Sequence, residues 1–209
     1  MIRQYVFLTF FIFLPGLIFG QAKDTTDYYP SGKVRGKGRV HLGVKSGMWT
    51  YYYPDGKISA VENYNEGKLS GEVLYYFPGG GIQGRESWKN GLQTDSAFYF
   101  HTNGRVEKKG VYHLSQYDGI WKFYFENGKL SRWVTYRGGM PEGSTRTFSE
   151  TGILLQEGFY AGGVESGEWK FYDDSGRIKY AGRYEKGKRE GAWYQYDRKG
   201  NPHAWKYKD

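Results

Sequence analysis

Residues 47–71 read GMWTYYYPDGKISAVENYNEGKLSG, and this unit decides the fold. It holds two segments of about six residues that are rich in Tyr, Trp, Val and Ile and bounded by turn residues, which is typical of β-strands joined in a hairpin. Pro54-Asp55-Gly56 suits a three-residue loop in which a type I turn is followed by Gly56 in the left-handed conformation. The unit therefore predicts a β-hairpin with one tight turn and a longer connection, Asn65 to Ser70, to the next hairpin.

The unit recurs along the chain at a fixed step of 24 residues. The tight-turn glycine keeps this step without a slip at Gly32, Gly56, Gly80, Gly104, Gly128, Gly152, Gly176 and Gly200. An aromatic column keeps it too, at Tyr28, Tyr52, Tyr76, Phe100, Tyr124, Phe148, Tyr172 and Tyr196. A fixed period indicates a repeat architecture, and hairpins that are marginal alone must stack on their neighbours. The sequence thus predicts an all-β fold, an elongated antiparallel β-meander of about seven to eight 24-residue hairpin repeats in an open twisted sheet or solenoid.

Strand alternation, applied outward from the tight turn, sorts the aromatic columns into two faces. With residues 54–56 as the loop, Tyr52 lies opposite Ile58, and alternation places Tyr64 beside them. The position of Ile58 is aliphatic in every full repeat. We therefore expect the face that carries Tyr52, Ile58 and Tyr64 to be the buried core.

The columns of the opposite face are less regular, since Thr145 and Thr147 replace aromatic residues in one repeat. Less strict columns predict partial exposure, and exposed Trp and Tyr are strong anchors of protein interfaces. The alternative is that these rings shield the second face of the sheet by packing on neighbouring hairpins. The candidate protein-binding aromatic face comprises Trp49, Tyr51, Tyr75, Tyr99, Trp121, Phe123, Trp169, Phe171 and Trp193.

Charge and cysteine content narrow the function classes. The net charge of +8 on 209 residues is modest, which favours weak attraction to anionic surfaces over dedicated nucleic-acid binding. The absence of cysteine excludes disulfides, thiolate metal sites and a cysteine nucleophile. Cations follow the tight-turn glycine in several repeats and form a candidate anionic-surface ladder: Lys33, Lys57, Arg105, Lys129 and Arg177. This ladder is either a contact for lipid headgroups, envelope polysaccharide or an acidic partner, or a solvated edge that opposes aggregation.

Catalytic and metal-binding constellations are missing from the sequence. His41 and His113 share a repeat column but lie three repeats apart, which is roughly 30 Å at the spacing of strands. Glu62 and Glu86 recur in register, but successive hairpins would hold them about 10 Å apart, a poor acid–base pair. We therefore expect a non-catalytic protein with no metal and no cofactor.

The first 22 residues differ from the rest of the chain. Arg3 is followed by an apolar run from Tyr5 to Phe19, shorter than a membrane-spanning helix needs, and then by small residues. This order predicts a secretory signal peptide over 1–22, cleaved after Gly20 or Ala22, and a single repeat domain over 23–209. The alternative is an uncleaved N-terminal anchor. We expect an exported protein of the periplasm, the cell surface or the medium.

Two segments carry a family resemblance. Residues 119–130, GIWKFYFENGKL, and the segment Gly191–Tyr196, which follows Tyr184–Gly187, resemble MORN repeats. The 24-residue period is similar to that of the bacterial MORN variant in YwqK-like antitoxin proteins. The resemblance implies a β-repeat scaffold without catalytic residues, so we expect an exported binding or scaffold protein that contacts a protein partner through its repeat sheet. The alternatives are an antitoxin or immunity protein that neutralises a partner toxin, and peripheral association with anionic lipid or envelope polysaccharide.

Overall fold

A computed structural model describes residues 21–206, which form 17 strands and no helix. Residues 1–20, which carry most of the predicted signal peptide, and residues 207–209 lie outside the described residues. The strands are β1 Lys23–Tyr28, β2 Val34–His41, β3 Val44–Tyr52, β4 Ile58–Asn65, β5 Lys68–Leu69, β6 Gly71–Tyr76, β7 Ile82–Lys89, β8 Leu92–Phe100, β9 Val106–His113, β10 Gln116–Tyr124, β11 Leu130–Arg137, β12 Met140–Phe148, β13 Leu154–Ala161, β14 Val164–Tyr172, β15 Ile178–Glu185, β16 Lys188–Tyr196 and β17 Pro202–Ala204.

Strands that follow one another in the sequence pair antiparallel and build one open sheet, which confirms the predicted all-β meander. The connection after β4 is split, because β4 pairs with both β5 and β6. The first edge strand, β1, carries Asp24, which is ion-paired to Arg39 at 3.3 Å. The last edge strand, β17, is three residues long and begins at Pro202. Charge, shortness and proline at sheet edges oppose the addition of further strands.

The tight turn has the predicted form. The N–H of Gly56 donates to the carbonyl of Tyr53 at 2.9 Å, and the N–H of Tyr53 donates to the carbonyl of Lys57 at 2.8 Å. Gly56 has a φ of +88°, the left-handed conformation that glycine adopts most readily. The loop therefore comprises residues 54–56, and the same bonds recur at 24-residue intervals.

A β-bulge after each tight turn changes the assignment of the faces. Tyr52 pairs with Ile58 but Tyr51 pairs with Ala60, so Ser59 has no partner across the strand. The same extra residue occurs at Arg35, Gln83, Glu107, Ser131, Leu155 and Lys179. One inserted residue moves the rest of the strand to the other face. Tyr64 consequently lies with Trp49, at 6.4 Å between ring centroids, and the prediction that it shares a face with Tyr52 is wrong.

The core lies on the face that the sequence predicted to be partly exposed. Trp49 and Trp121 are 1% and 0% exposed, and Trp169 and Trp193 are buried with them. Ile58, from the predicted core, is 42% exposed. The expectations for the burial of both faces are therefore wrong. The bulge accounts for the misplaced Tyr64, whereas the burial was misassigned because the most regular columns do not form the core. We name the face that carries these four tryptophans the tryptophan face.

Candidate functional site

The tryptophans are held by a repeated pairing with glycine. A Cβ placed on Gly110 would lie 2.3 Å from Cδ2 of Trp121, so only glycine allows the indole to lie on the neighbouring backbone. The same arrangement joins Gly38 to Trp49, Gly158 to Trp169 and Gly182 to Trp193. In the other three repeats a residue with a side chain replaces the glycine, and the buried residue eleven positions later is smaller than tryptophan. These pairs are Glu62 with Val73, Glu86 with Ala97, and Val134 with Thr145.

The indole N–H groups complete the backbone hydrogen bonding. Across β2 and β3, Lys37 pairs with Thr50 and Arg39 pairs with Ser46. Between these pairs β3 has three residues and β2 has one, so the strand ladder is interrupted there. The indole of Trp49 donates to the carbonyl of Arg39 at 2.9 Å, and Trp121 repeats this bond to Val111 at 2.9 Å. A buried carbonyl needs such a donor when the strand ladder is interrupted. The tryptophans of the predicted aromatic face thus serve the fold, which matches the alternative in which its rings pack on neighbouring hairpins.

The other members of the predicted aromatic face lie beside the tryptophans. Tyr51, Tyr75, Tyr99, Phe123 and Phe171 occupy the tryptophan face and are half-buried. Their rings are reachable from solvent, in contrast to the indoles. A binding role for this set stays a prediction, and it now rests on these five rings.

Four of the five residues of the predicted cationic ladder tie their tight turn to the backbone of the next tight turn. Lys33 donates to the carbonyl of Pro54 at 2.7 Å, and Lys57 to that of Pro78 at 3.1 Å. Further along the sheet the donors and acceptors are Arg105 to Glu126 at 3.1 Å and Lys129 to Thr151 at 2.9 Å, whereas Arg177 forms an ion pair with Asp173 at 2.9 Å. These bonds favour a structural role for the ladder, and its contact with an anionic surface stays a prediction.

The face opposite the tryptophans carries a row of cations that sequence reasoning missed. We name it the cationic face. The row crosses the sheet in register and contains one anion, Glu157, and six cations: Lys37, Arg85, Lys109, Lys122, Arg146 and Lys170. Val61, Leu74, Phe98 and Trp133 lie between them in the same row. The signal was present in the sequence, but finding it required the correct register beyond the bulge.

Two lysines of this row stand directly opposite each other. Lys122 pairs with Lys109 across β9 and β10. Like charges in directly opposed positions destabilise a sheet. Lys109 also lies 5.7 Å from the ring centroid of Tyr124, a weak cation–π contact. The pair therefore forms a place where a negative group from outside would relieve repulsion.

The remaining cations of the row include two that have partners within the chain. Arg146 contacts Glu157 at 3.0 Å, and Tyr172 donates to the same carboxylate at 2.7 Å. The Tyr172 hydrogen bond, together with Arg146, holds the pKa of Glu157 below its usual value. Arg85 is ion-paired to Glu72 at 3.4 Å. Charge on this face is thus partly neutralised in places and concentrated at the Lys109–Lys122 pair.

An apolar stripe runs beside the cations, on the side of the tight turns. It consists of the cross-strand pairs Tyr52–Ile58, Tyr76–Ile82, Phe100–Val106, Tyr124–Leu130, Phe148–Leu154 and Tyr172–Ile178. None of these twelve residues is buried. The most regular columns of the sequence are therefore partly exposed to solvent, and they provide apolar contact area next to positive charge.

No constellation for catalysis or metal binding emerges within residues 21–206. No three His, Asp or Glu side chains of this segment lie together as metal ligands would. His101 is used in a turn, where its Nε2 lies 2.9 Å from the carbonyl oxygen of Tyr124. The same segment contains no helix long and apolar enough to cross a membrane.

Comparison with known proteins agrees with the repeat geometry. The family described as MORN repeat variant matches residues 45–66, 117–137 and 165–186. No curated protein matches the chain.

Among solved structures, the match to the TcdB2-TccC3-Cdc42 crystal structure covers 84% of this chain at 13% identity and a TM-score of 0.22. The Photorhabdus luminescens Tc holotoxin pore with the TccC3-D651A mutation covers 84% at 12% identity and a TM-score of 0.21. The chain spans about an eighth of either structure's matched chain (12%), and these similarities carry no functional argument. Three segments of the chain thus match the MORN repeat variant, and MORN repeats are generally involved in protein or membrane binding.

Proposed function

We propose that the chain is a non-catalytic, exported binding protein whose cationic face holds an acidic segment of a partner protein. The observation that carries this proposal is the Lys109–Lys122 pair beside the unburied apolar stripe. Opposed lysines cost stability in the free protein, and a carboxylate placed between them would remove that cost. The stripe adds aromatic anchors of the kind that dominate protein interfaces.

The distribution of charge supports a protein partner over a lipid surface. Arg146 and Arg85 are already paired with Glu157 and Glu72. Positively charged positions that alternate with ion-paired positions suit a partner protein with a fixed pattern of carboxylates. A bilayer would be served better by an uninterrupted field of cations, as in polybasic segments. An immunity protein acting on a toxin would be a narrower form of the same proposal, with the toxin as the acidic partner.

Site-specific cross-linking in the native cells tests this proposal. A photo-reactive residue is placed at Val111, which is 42% exposed and borders the lysine pair on the cationic face. The same residue is placed at Leu92, which is 43% exposed and lies at the start of β8, as a control for general stickiness. We expect Val111 to yield a discrete protein adduct and Leu92 to yield none.

Charge reversal then separates this surface from net charge. In Lys109→Glu/Lys122→Glu the Val111 adduct should disappear, whereas the exposed pair Lys188→Glu/Lys199→Glu changes net charge equally and should leave it intact. Adducts formed only with phospholipid, or equal losses in both charge-reversal variants, would overturn the proposal. Purification of the adduct and its acidic cross-linked peptide identifies the partner.

A further inference from the structure

The indole of Trp133 is used differently from those of the tryptophan face. The four indoles of the tryptophan face donate to backbone carbonyls, and that of Trp88 donates to Glu86. Trp133 lies on the cationic face, where it is half-buried. Within residues 21–206 its indole makes no hydrogen bond, ring pair or cation–π contact, and its Nε1 atom is not buried. Trp133 therefore presents to solvent a ring and a donor that the fold does not use.

Trp133 borders an open recess of about 370 Å³, within the range of small-molecule sites. The second aromatic residue of this recess is Phe159, which is 41% exposed. The two residues lie on β11 and β13, and Ser144 of the intervening β12 pairs with Phe159. Two strand spacings and an offset of two residues place the Cα atoms of Trp133 and Phe159 about 12 Å apart. The short side chain of Ser144 thus leaves a gap between two rings that one small cyclic molecule can fill.

An ion pair beside the rings offers hydrogen-bonding groups in fixed positions. Nε of Arg146 donates to one carboxylate oxygen of Glu157 at 3.0 Å, and Tyr172 donates to the other at 2.7 Å. Half of the Arg146 side chain is exposed, and its two Nη groups donate to no acceptor within residues 21–206. Each carboxylate oxygen of Glu157 keeps a second lone pair. The recess therefore presents donors and acceptors side by side.

The charges that line the recess cancel. Arg146 and Lys170 are positive, whereas Glu157 and Glu168 are negative. The lysine pair of the proposed function differs in this respect, because there two like charges are opposed. A recess with a net charge of zero gives no advantage to an anion or a cation, and it favours a neutral ligand.

A ligand that fits this recess has an apolar face for the rings and a rim of groups that both donate and accept hydrogen bonds. A pyranose has both, since its axial C–H bonds form an apolar face and its equatorial hydroxyls donate and accept. We propose that the recess binds a neutral pyranose sugar, stacked on Trp133 and hydrogen-bonded to Arg146 and Glu157. An alkyl chain would cover the ion pair without satisfying it, which is costly. This site goes beyond the proposed function, and it includes neither lysine of the Lys109–Lys122 pair.

The indole N–H of Trp133 allows binding to be followed in ¹H–¹⁵N NMR spectra of the labelled protein. We would titrate with the methyl pyranosides of glucose, galactose, mannose, N-acetylglucosamine and glucuronic acid, and with the open-chain polyol sorbitol as a control. We expect at least one neutral sugar to produce a saturable shift of the Trp133 signal, with a Kd on the order of 1–10 mM. The signal of Trp121, which is fully buried on the other face, should not move.

Three results would overturn the proposal. The first is the absence of a saturable shift with every neutral sugar up to about 100 mM, ten times the weakest expected Kd. The second is an equal shift with sorbitol, which has the hydroxyls but no ring face. The third is binding of the glucuronide alone, because it would assign the recess to anionic ligands.

Variants of Trp133 test the stacking contact, with the backbone amide signal of Ser144 as the readout. Trp133→Leu should weaken sugar binding at least about tenfold, whereas Trp133→Phe keeps a ring face and should weaken it less than about threefold. The Trp121 signal reports whether each variant keeps the native fold. A natively folded Trp133→Leu protein that binds the sugar as tightly as the native chain would contradict the assignment.

A second pair of variants tests the ion pair and remains informative if Trp133→Leu misfolds. Arg146→Gln/Glu157→Gln leaves the net charge unchanged and should weaken sugar binding at least about fivefold. Glu72→Gln/Arg85→Gln removes another exposed ion pair outside the recess, and it should leave the Kd unchanged. Equal effects of the two double variants would show that the sugar does not contact Arg146 and Glu157.

Discussion

Replacing Gly110 with alanine tests how the tryptophan face is built. The added Cβ would lie 2.3, 2.4 and 2.5 Å from three indole atoms of Trp121, well inside van der Waals contact. Trp121 has no room to yield, since it is fully buried, stacks on Tyr117 at 3.7 Å between centroids and donates to the carbonyl of Val111. The methyl group can be accommodated only if the indole leaves these contacts.

Three contributions determine how much Gly110→Ala should change the free energy of unfolding. Overpacking costs about 1–3 kcal/mol, and three close contacts place this case near 3. The indole hydrogen bond contributes about 1 kcal/mol that is lost when the ring shifts. Removing a glycine stabilises by about 0.5–1 kcal/mol through the unfolded chain, because Gly110 is not in the left-handed region. We expect Gly110→Ala to lower the free energy of unfolding by about 3 kcal/mol.

Urea denaturation followed by tryptophan fluorescence and far-UV circular dichroism measures this loss, and coincident transitions justify a two-state treatment. The control is Gly79→Ala, where a Cβ meets nothing within 4 Å, with an expected change within about 0.5 kcal/mol. In a Trp121→Val background the buried position holds valine, as it does naturally at Val73. The cost of Gly110→Ala should then fall by about 2 kcal/mol or more. Equal costs in both backgrounds, or a cost no larger than that of Gly79→Ala, would refute the reasoning.

Two further predictions concern the turns and the tyrosines. Asn127 accepts from a backbone N–H at 2.9 Å and donates to the carbonyl of Glu150 at 2.9 Å, so Asn127→Ala should lose about 1–2 kcal/mol in urea denaturation. The exposed neighbour Glu126→Ala should lose less than about 0.5 kcal/mol, and equal losses would count against the turn ties. Burial and a neighbouring carboxylate raise the pKa of Tyr172 from 10.0 to about 12. Because the folded-state pKa is the higher one, this stabilisation is complete below pH 10 and is lost as pH rises towards 12. The Tm of the native chain should fall more steeply across this window than that of Tyr172→Phe, and parallel slopes would contradict the assignment.

The repeat, the hairpins and the tight turns were predictable because their causes are local. Gly56 needs a left-handed conformation, and the two residues before it complete the turn, so a 24-residue period translates directly into stacked hairpins. The assignment of faces was not predictable in the same way. The bulge residues Arg35, Ser59, Gln83, Glu107, Ser131, Leu155 and Lys179 share no chemistry that marks them. If the bulge residues are not recognised, strand alternation assigns Tyr64 to the wrong face of the sheet.

Regularity of a column also proved a misleading guide to burial. The strict aromatic and aliphatic columns at Tyr52 and Ile58 reflect pairing beside a tight turn, and they remain partly exposed. The buried column varies, because its size changes together with the residue eleven positions earlier, as in Gly110 with Trp121 and Glu86 with Ala97. Covariation between repeats within the one sequence was the signal that could have located the core.

A sheet that buries its tryptophans on one face by laying them on glycines needs no second layer of structure there. The consequence is that both faces remain reachable. On the tryptophan face, Glu62 and Glu86 accept hydrogen bonds from Tyr64 and Tyr99, and the cations Lys45 and Lys108 lie against the rings of the same two tyrosines. Both signs of charge are therefore present together on that face, whereas the cationic face opposes Lys109 directly to Lys122. An acidic partner consequently gains most at the lysine pair. Loss of binding in Lys109→Glu/Lys122→Glu, with binding retained in Glu62→Gln/Glu86→Gln, would place the partner on the cationic face, and the reverse result would contradict the proposal.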